Sequence, residues 1–279
     1  MSNMPIISFF IPALNIGGVE RVLILYANSL LSDYNVEFVI CKQVGDFFSL
    51  LSDRVAIINL GNIKSRYAII PLRKYLKERK PSVLITGPDI SNVIGILATL
   101  GIKKTKIIIT QHNSFDIEMR KEGPFKLFGL LLIKFLYRLA DHVISVSENI
   151  TVFLISIGIS KNKITTLYNP IDFEEINIQA YASNDYSLPQ NYIVFVGGLR
   201  AIKNIPLLIR AFALINDPTL NLVIVGDGPE KDFLECLIKE SPAFERIHLI
   251  GSTKNPFSII NNAKILILPS FSESFSLTI

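Results

Sequence analysis

Short apolar runs rich in valine, isoleucine and leucine alternate with segments of helical spacing along almost the entire chain. The apolar runs predict strands at 6–11, 36–41, 55–60, 83–86, 106–110, 142–146, 163–168, 192–196, 220–225, 246–250 and 265–268. Between them, apolar residues recur at helical spacing, for example in 19–31, 65–80 and 205–215. Continuous apolar strands are typical of parallel sheets buried on both faces. Their alternation with helices predicts a doubly wound α/β fold.

The alternation breaks once, in the polar and acidic stretch 171–190. This stretch contains Pro189 and lacks apolar periodicity, so it is predicted to be a linker. A strand followed by a glycine turn then restarts the alternation, as a second Rossmann-like domain would. We therefore expect an N-terminal domain at 1–170, a linker at 171–190 and a second domain at 191–279. The second has fewer strand candidates, so either it is small or the chain is cut short within it.

Composition excludes several classes of protein. Of the 279 residues, 49% are hydrophobic and 19% are charged, which suits folded cores and excludes wholesale disorder. No run reaches the ~18–20 uncharged residues that a membrane-spanning helix needs, and the first residues lack the features of a signal peptide. The net charge of +4 is too small to indicate nucleic-acid binding unless it is clustered. We expect a soluble cytoplasmic protein.

Sulfur and metal chemistry are not expected. Cys41 and Cys236 lie far apart, each inside an apolar run, which predicts two buried, reduced thiols. A disulfide framework or a cysteine zinc site would need clustered cysteines. The sequence also lacks D-x-D and H-E-x-x-H, so we expect neither a metal nor a cofactor.

Two polar loops follow strands of the first domain. Gly17 and Gly18 come after the first strand, where glycine lets a ligand approach the backbone and a helix N-terminus offers N–H groups to an anion. The loop matches neither the dinucleotide nor the P-loop pattern, and a simple tight turn remains the alternative. Gln111, His112 and Asn113 follow the fifth strand, at the edge where open α/β sheets bind ligands. The alternative is a histidine that only stabilises its loop.

The second domain repeats this arrangement. Gly197 and Gly198 follow its first strand, and Arg200 and Lys203 place two cations at the start of the next helix, where they could neutralise a diphosphate. A solvated basic surface is the alternative. Glu273 lies in a serine-rich loop after the last strand, where a carboxylate could accept hydrogen bonds from sugar hydroxyls. Alone, one such glutamate indicates little.

Two basic stretches mix cations with large apolar side chains, at 65–80 and 125–140. Helices of this composition can lie on an anionic bilayer. A helix that packs on the core with a solvated basic face fits the residues equally well. We retain both interpretations, with peripheral contact at the inner face of the cytoplasmic membrane as the functional one.

Taken in order, these segments resemble glycosyltransferase family 4. The matching runs are GGVER at 17–21, QHN at 111–113, VS at 146–147, YNPID at 168–172, VGGL at 196–199, KN at 203–204, VGDGPE at 225–230 and PSFSESF at 269–275. The resemblance covers nearly the whole chain. It implies the GT-B fold, with two Rossmann-like domains, and transfer of a sugar from a nucleotide-sugar donor with retention of configuration and without a metal. A lipid-linked saccharide acceptor in cell-surface polysaccharide biosynthesis is implied as well.

The resemblance also assigns roles to residues. Gly17, Gly18 and Gly197 would lie against the donor diphosphate, and Arg200 and Lys203 would neutralise it. His112 would lie beside the transferred sugar. The catalytic-site carboxylate would be Glu273, which matches the first glutamate of the family's Glu-(seven residues)-Glu motif. Backbone N–H groups of Phe275 and Ser276 would bind phosphate.

The chain departs from the family in two places. Gly198 stands where many members have arginine, so Arg200 would have to substitute for it. The second glutamate of the motif would fall two residues beyond Ile279, so we expect a chain truncated within its donor-binding domain. Two alternatives to a transferase remain: a non-catalytic remnant or binding subunit of such an enzyme, and a nucleotide-sugar epimerase or hydrolase on the same fold.

Overall fold

The computed structural model describes residues 4–15, 17–87, 89–112, 133–183 and 186–273. The chain divides into two compact units, Met1–Pro170 and Ile171–Ile279.

A parallel sheet forms the centre of the first unit. Its strands are β1 (Ile6–Ile11), β2 (Asn35–Ile40), β3 (Ala56–Asn59), β4 (Val83–Thr86), β5 (Lys106–Gln111), β6 (His142–Ser145) and β7 (Ile164–Thr166). They are arranged in the order β3-β2-β1-β4-β5-β6-β7, with every neighbouring pair parallel. The chain therefore reverses its direction of travel across the sheet between β1 and β4. In open α/β sheets, ligands bind at the carboxyl edge beside such a reversal.

Helices cover this sheet: α1 (Gly18–Ser29), α2 (Ile69–Arg79), α3 (Asp89–Thr99) and α4 (Glu148–Ser156). The start of α4 is set by Ser147, whose hydroxyl accepts from the backbone N–H of Ile150. At its carboxyl end, α2 stops at Lys80, which adopts the left-handed conformation with φ 51°. In the core, the rings of Phe9 and Phe38 stack with centroids 5.2 Å apart. Both side chains are fully buried.

A charged cluster fixes α2 to the sheet. Glu37 lies in the middle of β2 and is only 2% exposed. Its carboxylate accepts hydrogen bonds from Tyr75 and Arg79, both on α2. The Tyr75 hydroxyl also meets Ser8 Oγ of β1 at 2.7 Å. Because buried carboxylates need paired donors, these contacts explain how Glu37 is tolerated inside the sheet.

The second unit contains a smaller parallel sheet of β8 (Tyr192–Val196), β9 (Asn221–Val225) and β10 (Ile247–Gly251), in the order β10-β9-β8. The predicted strand at 265–268 forms only a single bridge, between Leu266 and Val194 of β8. The remaining helices are α5 (Phe173–Tyr181), α6 (Ile205–Ala213), α7 (Lys231–Lys239) and α8 (Phe257–Asn261). A core of Phe195, Phe212 and their apolar neighbours lies between the sheet and the helices α6 and α7.

The predicted linker at 171–190 is in part helical. Asp172 caps α5 by accepting from the N–H of Glu175 at 2.9 Å. The helix is also tied to the second unit, since Asn255 Nδ2 donates to the carbonyl of Gln179. No α5 side chain is buried, which is why the sequence shows no apolar periodicity there.

The prediction of two buried thiols was wrong for one of them. Cys41 is buried after β2, but Cys236 lies on the exposed face of α7. Among the described residues, no helix combines the length and the apolar character needed to cross a bilayer.

Candidate functional site

The loop after β1 is held in place by the chain that follows β2. Backbone N–H groups of Cys41 and Lys42 donate to the carbonyl of Pro12 at 3.0 and 3.1 Å, and that of Phe47 donates to Leu14 at 3.1 Å. The close approach of these two segments requires glycine at position 45. Gly45 has φ +126°, and a Cβ added there would lie 2.0 Å from the Leu14 oxygen. The loop that leads to α1 is therefore fixed by backbone contacts.

Gly17 is the N-cap of α1, and Gly18 is the first residue of the helix. A Cβ added at Gly17 would lie 2.3 Å from the carboxylate of Glu20, which is the acidic residue of the first turn. A carboxylate there stabilises the helix dipole. A phosphate predicted at the same N-terminus would therefore have to share the space with Glu20.

His112 follows β5 at the carboxyl edge of the sheet and is 7% exposed. Its Nε2 lies 2.9 Å from Oγ1 of Thr110. Burial disfavours the charged imidazolium and lowers the pKa of His112 to about 4. The ring is therefore neutral at pH 7 and can take part in hydrogen bonds without contributing a positive charge.

A buried polar network surrounds this histidine. Thr86 Oγ1 donates to Asn92 Oδ1 at 2.7 Å, and Asn92 Nδ2 donates to the Thr110 carbonyl at 2.9 Å and to the Tyr137 hydroxyl at 3.0 Å. Tyr137 in turn donates to Gln111 Oε1 at 2.9 Å. The network joins the ends of β4 and β5 to α3 and to the helical turn 133–137. Gln111 thus lies beside the predicted site, while Asn113 is outside the described residues.

Sequence reasoning did not identify Thr86, Asn92 or Tyr137. A polar Asn92 within the apolar helix α3 was the available signal, because a buried amide requires partners. Its partners lie on other elements, so the sequence alone could not pair them.

In the second unit, the loop after β8 packs closely on the turn after β9. A Cβ added at Gly226, which has φ +152°, would lie 1.9 Å from the Gly197 oxygen, and one added at Gly228 would lie 2.5 Å from the Leu199 oxygen. The backbone of Leu199 donates to Asp227 at 3.0 Å. The glycines after β9 therefore have a structural role: they let two loops share the carboxyl edge.

Lys203 and Glu273 meet at this edge. Lys203 Nζ lies 2.6 Å from Glu273 Oε1, which also accepts from Ser270 Oγ at 2.6 Å. Their side chains are 22% and 28% exposed. The backbone N–H of Phe271 donates to the Ile202 carbonyl at 2.9 Å, which holds the two loops together. Two residues chosen separately from the sequence are therefore direct neighbours.

The neighbouring positions complete the loop. Asn204 adopts a left-handed conformation with φ 51° as the N-cap of α6, and its side chain donates to the carbonyl of Pro269 at 3.4 Å. Arg200 is exposed, and its Nε would lie 3.9 Å from a Cβ added at Gly198. A Cβ at Gly197 would meet the Phe195 ring at 3.2 Å. Cationic side chains and a helix N-terminus are thus adjacent, an arrangement suited to phosphate.

The predicted site residues are divided between the units. Gly17, Gly18 and His112 lie in the first unit, while Gly197, Arg200, Lys203 and Glu273 lie in the second. Phe275 and Ser276 are outside the described residues. The part of the chain that the structure describes contains no group of three or more histidine, cysteine or acidic side chains placed to bind a metal.

Solved structures that resemble this chain have the GT-B fold. Anabaena HepE in complex with UDP-glucose superposes with a TM-score of 0.81 at 19% identity, over 98% of this chain and 76% of that one. The lipopolysaccharide outer core galactosyltransferase WaaB gives a TM-score of 0.66 at 22% identity, over 98% and 76%. These likenesses establish the fold.

Two family models match the sequence. The model described as Glycosyltransferase Family 4 covers residues 16–175, more than half of the chain, and that described as Glycosyl transferases group 1 covers 181–279. The chain belongs to glycosyltransferase family 4.

Two curated relatives come from Campylobacter jejuni. The first, N-acetylgalactosamine-N,N'-diacetylbacillosaminyl-diphospho-undecaprenol 4-alpha-N-acetylgalactosaminyltransferase, is 34% identical over 66% of this chain and 50% of its own length. The second, GalNAc-alpha-(1->4)-GalNAc-alpha-(1->3)-diNAcBac-PP-undecaprenol alpha-1,4-N-acetyl-D-galactosaminyltransferase, is 28% identical over 96% of this chain and 73% of its own length. The chain thus spans half of the first relative and about three quarters of the second.

Proposed function

We propose that the chain takes part in transferring a sugar from a nucleoside-diphosphate donor to a lipid-linked saccharide in the synthesis of a surface polysaccharide. The observation that carries this proposal is the Lys203–Glu273 pair at the carboxyl edge of the second sheet, in a chain that belongs to family 4. Both relatives bear names of transferases that act on undecaprenol-linked saccharides, which supports the choice of acceptor.

The chemistry follows from where charge develops. When the bond between the sugar and the diphosphate breaks, negative charge builds on the departing phosphate oxygens. Lys203 and the N-terminus of α6 would stabilise that charge, and Arg200 would add a second cation. Glu273 would accept hydrogen bonds from hydroxyls of the transferred sugar. His112, being neutral, would bind the sugar and leave charge neutralisation to the second unit.

We also propose that transfer proceeds with retention of configuration. The names of both relatives specify alpha linkages, and the sugar carbon in common UDP-sugar donors is itself alpha-linked to phosphate. Analysis of the product linkage by NMR tests this directly. A beta-linked product from an alpha-linked donor would contradict retention while leaving transfer itself established.

Binding and turnover test the main proposal. Calorimetric titration with UDP and GDP should identify the nucleotide, and UDP-N-acetylgalactosamine and UDP-glucose should then be supplied with a membrane extract. Lys203→Ala should abolish transfer and weaken nucleotide binding, whereas Lys264→Ala, at the opposite end of β8, should change neither. Absence of turnover with every donor would count against transfer. Product formation without an acceptor would favour the hydrolase or epimerase alternative.

The acceptor is expected to lie at a membrane surface, and α2 together with the turn Ser65–Tyr67 before it offers a face for it. Ile70 is 80% exposed and Tyr67 is 60% exposed, and they are flanked by Arg66 and Lys74. Exposed apolar side chains among cations are what binding to an anionic bilayer requires. Arg79 is paired with Glu37, and Lys74 lies 3.9 Å from Glu78, so each offers a bilayer only part of its charge. Arg73 keeps its charge while it donates to the carbonyl of Ala98.

Vesicle sedimentation tests this face. Ile70→Asp and Lys74→Glu should each reduce binding to vesicles that contain phosphatidylglycerol, and added salt should reduce binding of the wild type. Lys239→Glu, a charge reversal on the exposed part of α7, is the matched control. Equal binding by all three variants would contradict the α2 proposal. The other basic stretch, 125–140, lies largely outside the described residues.

A further inference from the structure

The hydroxyl of Thr110 lies between two polar groups at the end of β5. Oγ1 donates to the carbonyl oxygen of Thr86 at 2.8 Å and lies 2.9 Å from Nε2 of His112. Thr110 and Thr86 are fully buried, so solvent does not compete for either contact. Gly87 leaves space for the Thr110 side chain, because a Cβ added at Gly87 would lie 2.4 Å from Thr110 Oγ1.

The position of the protons follows from what each group can do. A carbonyl oxygen only accepts, so the single hydroxyl proton of Thr110 must point at Thr86. Thr110 Oγ1 can then only accept from the histidine, and Nε2 must carry the ring proton. A neutral imidazole has one N–H, so Nδ1 is left with a lone pair. The low pKa of His112, about 4, keeps the ring neutral near pH 7.

We propose that Thr110 is a positioning residue that holds His112 in the tautomer protonated at Nε2, leaving Nδ1 as a hydrogen-bond acceptor. The consequence for catalysis rests on the proposed function of His112. A substrate group that meets Nδ1 must then be a donor, such as a sugar hydroxyl. A phosphate oxygen, which only accepts, has no partner on this ring.

The surrounding network keeps Thr110 in place. Asn92 Nδ2 donates to the Thr110 carbonyl, and the Thr86 hydroxyl donates to Asn92 Oδ1. The backbone of β5 is also paired with β4 through Ile109 and Thr86. Thr110 and its acceptor Thr86 therefore lie in paired strands of the sheet, and a group that selects one tautomer requires such a fixed position.

Nitrogen-15 NMR of the histidine rings tests the tautomer without any assay of activity. The His112 signals are assigned by their loss in His112→Asn. The wild type and Thr110→Ser should show a protonated Nε2 and an unprotonated Nδ1, and Thr110→Val should show a measurable share of the other tautomer. Thr165→Val is the matched control, because Thr165 Oγ1 meets His142 Nε2 at 2.8 Å and its loss should leave the His112 signals unchanged.

A wild-type His112 protonated at Nδ1, or an unchanged tautomer in Thr110→Val, would overturn the proposal. If Thr110→Val does not fold, the wild type and Thr110→Ser still decide it, because a protonated Nδ1 in either contradicts the assignment.

Kinetics separate this inference from the proposed function. With UDP-N-acetylgalactosamine or UDP-glucose as donor, Thr110→Val should lower kcat/KM by about 5- to 10-fold, the effect of losing about one hydrogen bond, and Thr110→Ser should restore it. In a His112→Asn background the same change should have little effect, since Thr110 acts through the histidine. If Thr110→Val shifted the tautomer but left kcat/KM unchanged, His112 would have no role in catalysis. The assignment of the ring proton to Nε2 would still stand.

Discussion

Glu273 directs one carboxylate oxygen at two donors, Lys203 Nζ and Ser270 Oγ, each 2.6 Å away. A phosphate that binds Lys203 must therefore compete with a carboxylate that is already in place. The pair is partly exposed, and such ion pairs contribute about 0.2–1 kcal/mol. The competition is thus modest, and it acts against free nucleotide as well as against the nucleotide sugar.

Replacing the carboxylate gives the first prediction. Glu273→Gln should bind UDP about two- to five-fold more tightly, because Lys203 no longer has a charged internal partner. The same variant should lose sugar transfer, since it weakens the acceptor for sugar hydroxyls. Titration calorimetry with UDP measures the first effect, and Glu240→Gln, an exposed glutamate at the end of α7, is the control. Weaker UDP binding by Glu273→Gln would show that the carboxylate supports the phosphate site.

His112 links burial to the pH dependence of stability. Its pKa is lowered on folding from 6.5 to about 4, because the buried ring is costly to charge. Between these values the unfolded chain binds more protons than the folded one, so stability falls as the pH decreases. Above pH 6.5 the ring is mostly neutral in both states, and the free energy of unfolding keeps its full value. Protonation of His112 in the unfolded chain then lowers the free energy of unfolding by about 3 kcal/mol as the pH falls to 4.

Urea unfolding at pH 7 and pH 5 checks this second prediction. His112→Asn should show a smaller fall in the free energy of unfolding between the two pH values than the wild type. His142→Asn, which removes a half-buried histidine of β6, is the control. A His112→Asn protein with the full wild-type dependence would mean that another group is responsible.

Single residues were predictable from the sequence where their chemistry is local. The glycine turns at 17–18 and 197–198, and the cations that follow the second, could be recognised because loop, helix start and charge are adjacent along the chain. Glu37 and Asn92 could not be interpreted in the same way. Each is a polar residue in an apolar run, and the partners that satisfy it come from distant segments. The Lys203–Glu273 contact was equally invisible, although both residues had been selected.

Helix α2 illustrates how one polar cluster fixes an amphipathic segment. Its inner face buries Leu72 and Leu76, and Tyr75 and Arg79 reach Glu37 in the sheet. Its outer face keeps Ile70 and Lys74 in solvent. The inward contacts thus decide which side of the helix can meet a bilayer. The inner face fits the core-packing interpretation of 65–80, while membrane contact by the outer face stays a proposal.

Removing one hydroxyl from this cluster gives the third prediction. Tyr75→Phe leaves the Glu37 carboxylate with fewer donors and should lower the free energy of unfolding by about 1–3 kcal/mol. Burial, together with the adjacent Glu37, raises the pKa of Tyr75, so its hydroxyl stays protonated and donates throughout the ordinary pH range. Urea unfolding measures the change, and Tyr67→Phe, at a 60% exposed ring, is the control. Equal stability of both variants would show that the hydroxyl does not support Glu37.

Strands were easier to predict than the segments that join them. The bounds of β1, β4 and β8 agree with the apolar runs because both faces of those strands are buried. The run 265–268 has the same composition but lies against β8 through one bridge, with its side chains partly exposed. Helix α5 escaped prediction because none of its side chains is buried, and Phe173 and Tyr181 are 73% and 82% exposed.

The two units present different chemistry at the carboxyl edges of their sheets. The first offers a neutral histidine inside a buried polar network, together with the glycine turn that opens α1. The second offers cations, a carboxylate and the start of α6. Cationic side chains therefore lie at the edge of the second sheet, while the histidine at the edge of the first is neutral. The resemblance to family 4 assigned contacts in both units, with Gly17 and Gly18 expected at the phosphate and Glu273 expected at the sugar. Composition and periodicity cannot assign a ligand to either unit.

The difference in charge between Lys203 and His112 leads to the last prediction, in which binding and transfer are separated by mutation. Lys203→Ala should weaken UDP binding about ten-fold or more, because a charged hydrogen bond to phosphate is lost. His112→Ala should leave UDP affinity nearly unchanged, since a neutral ring contributes no charge to the diphosphate. Both variants should nevertheless lose most of their transfer from the nucleotide sugar. Calorimetry with UDP and a radiolabelled transfer assay on the same preparations measure the two effects. If His112→Ala weakened UDP binding as strongly as Lys203→Ala, the histidine would have to act on the phosphates, and its assignment to the sugar would be wrong.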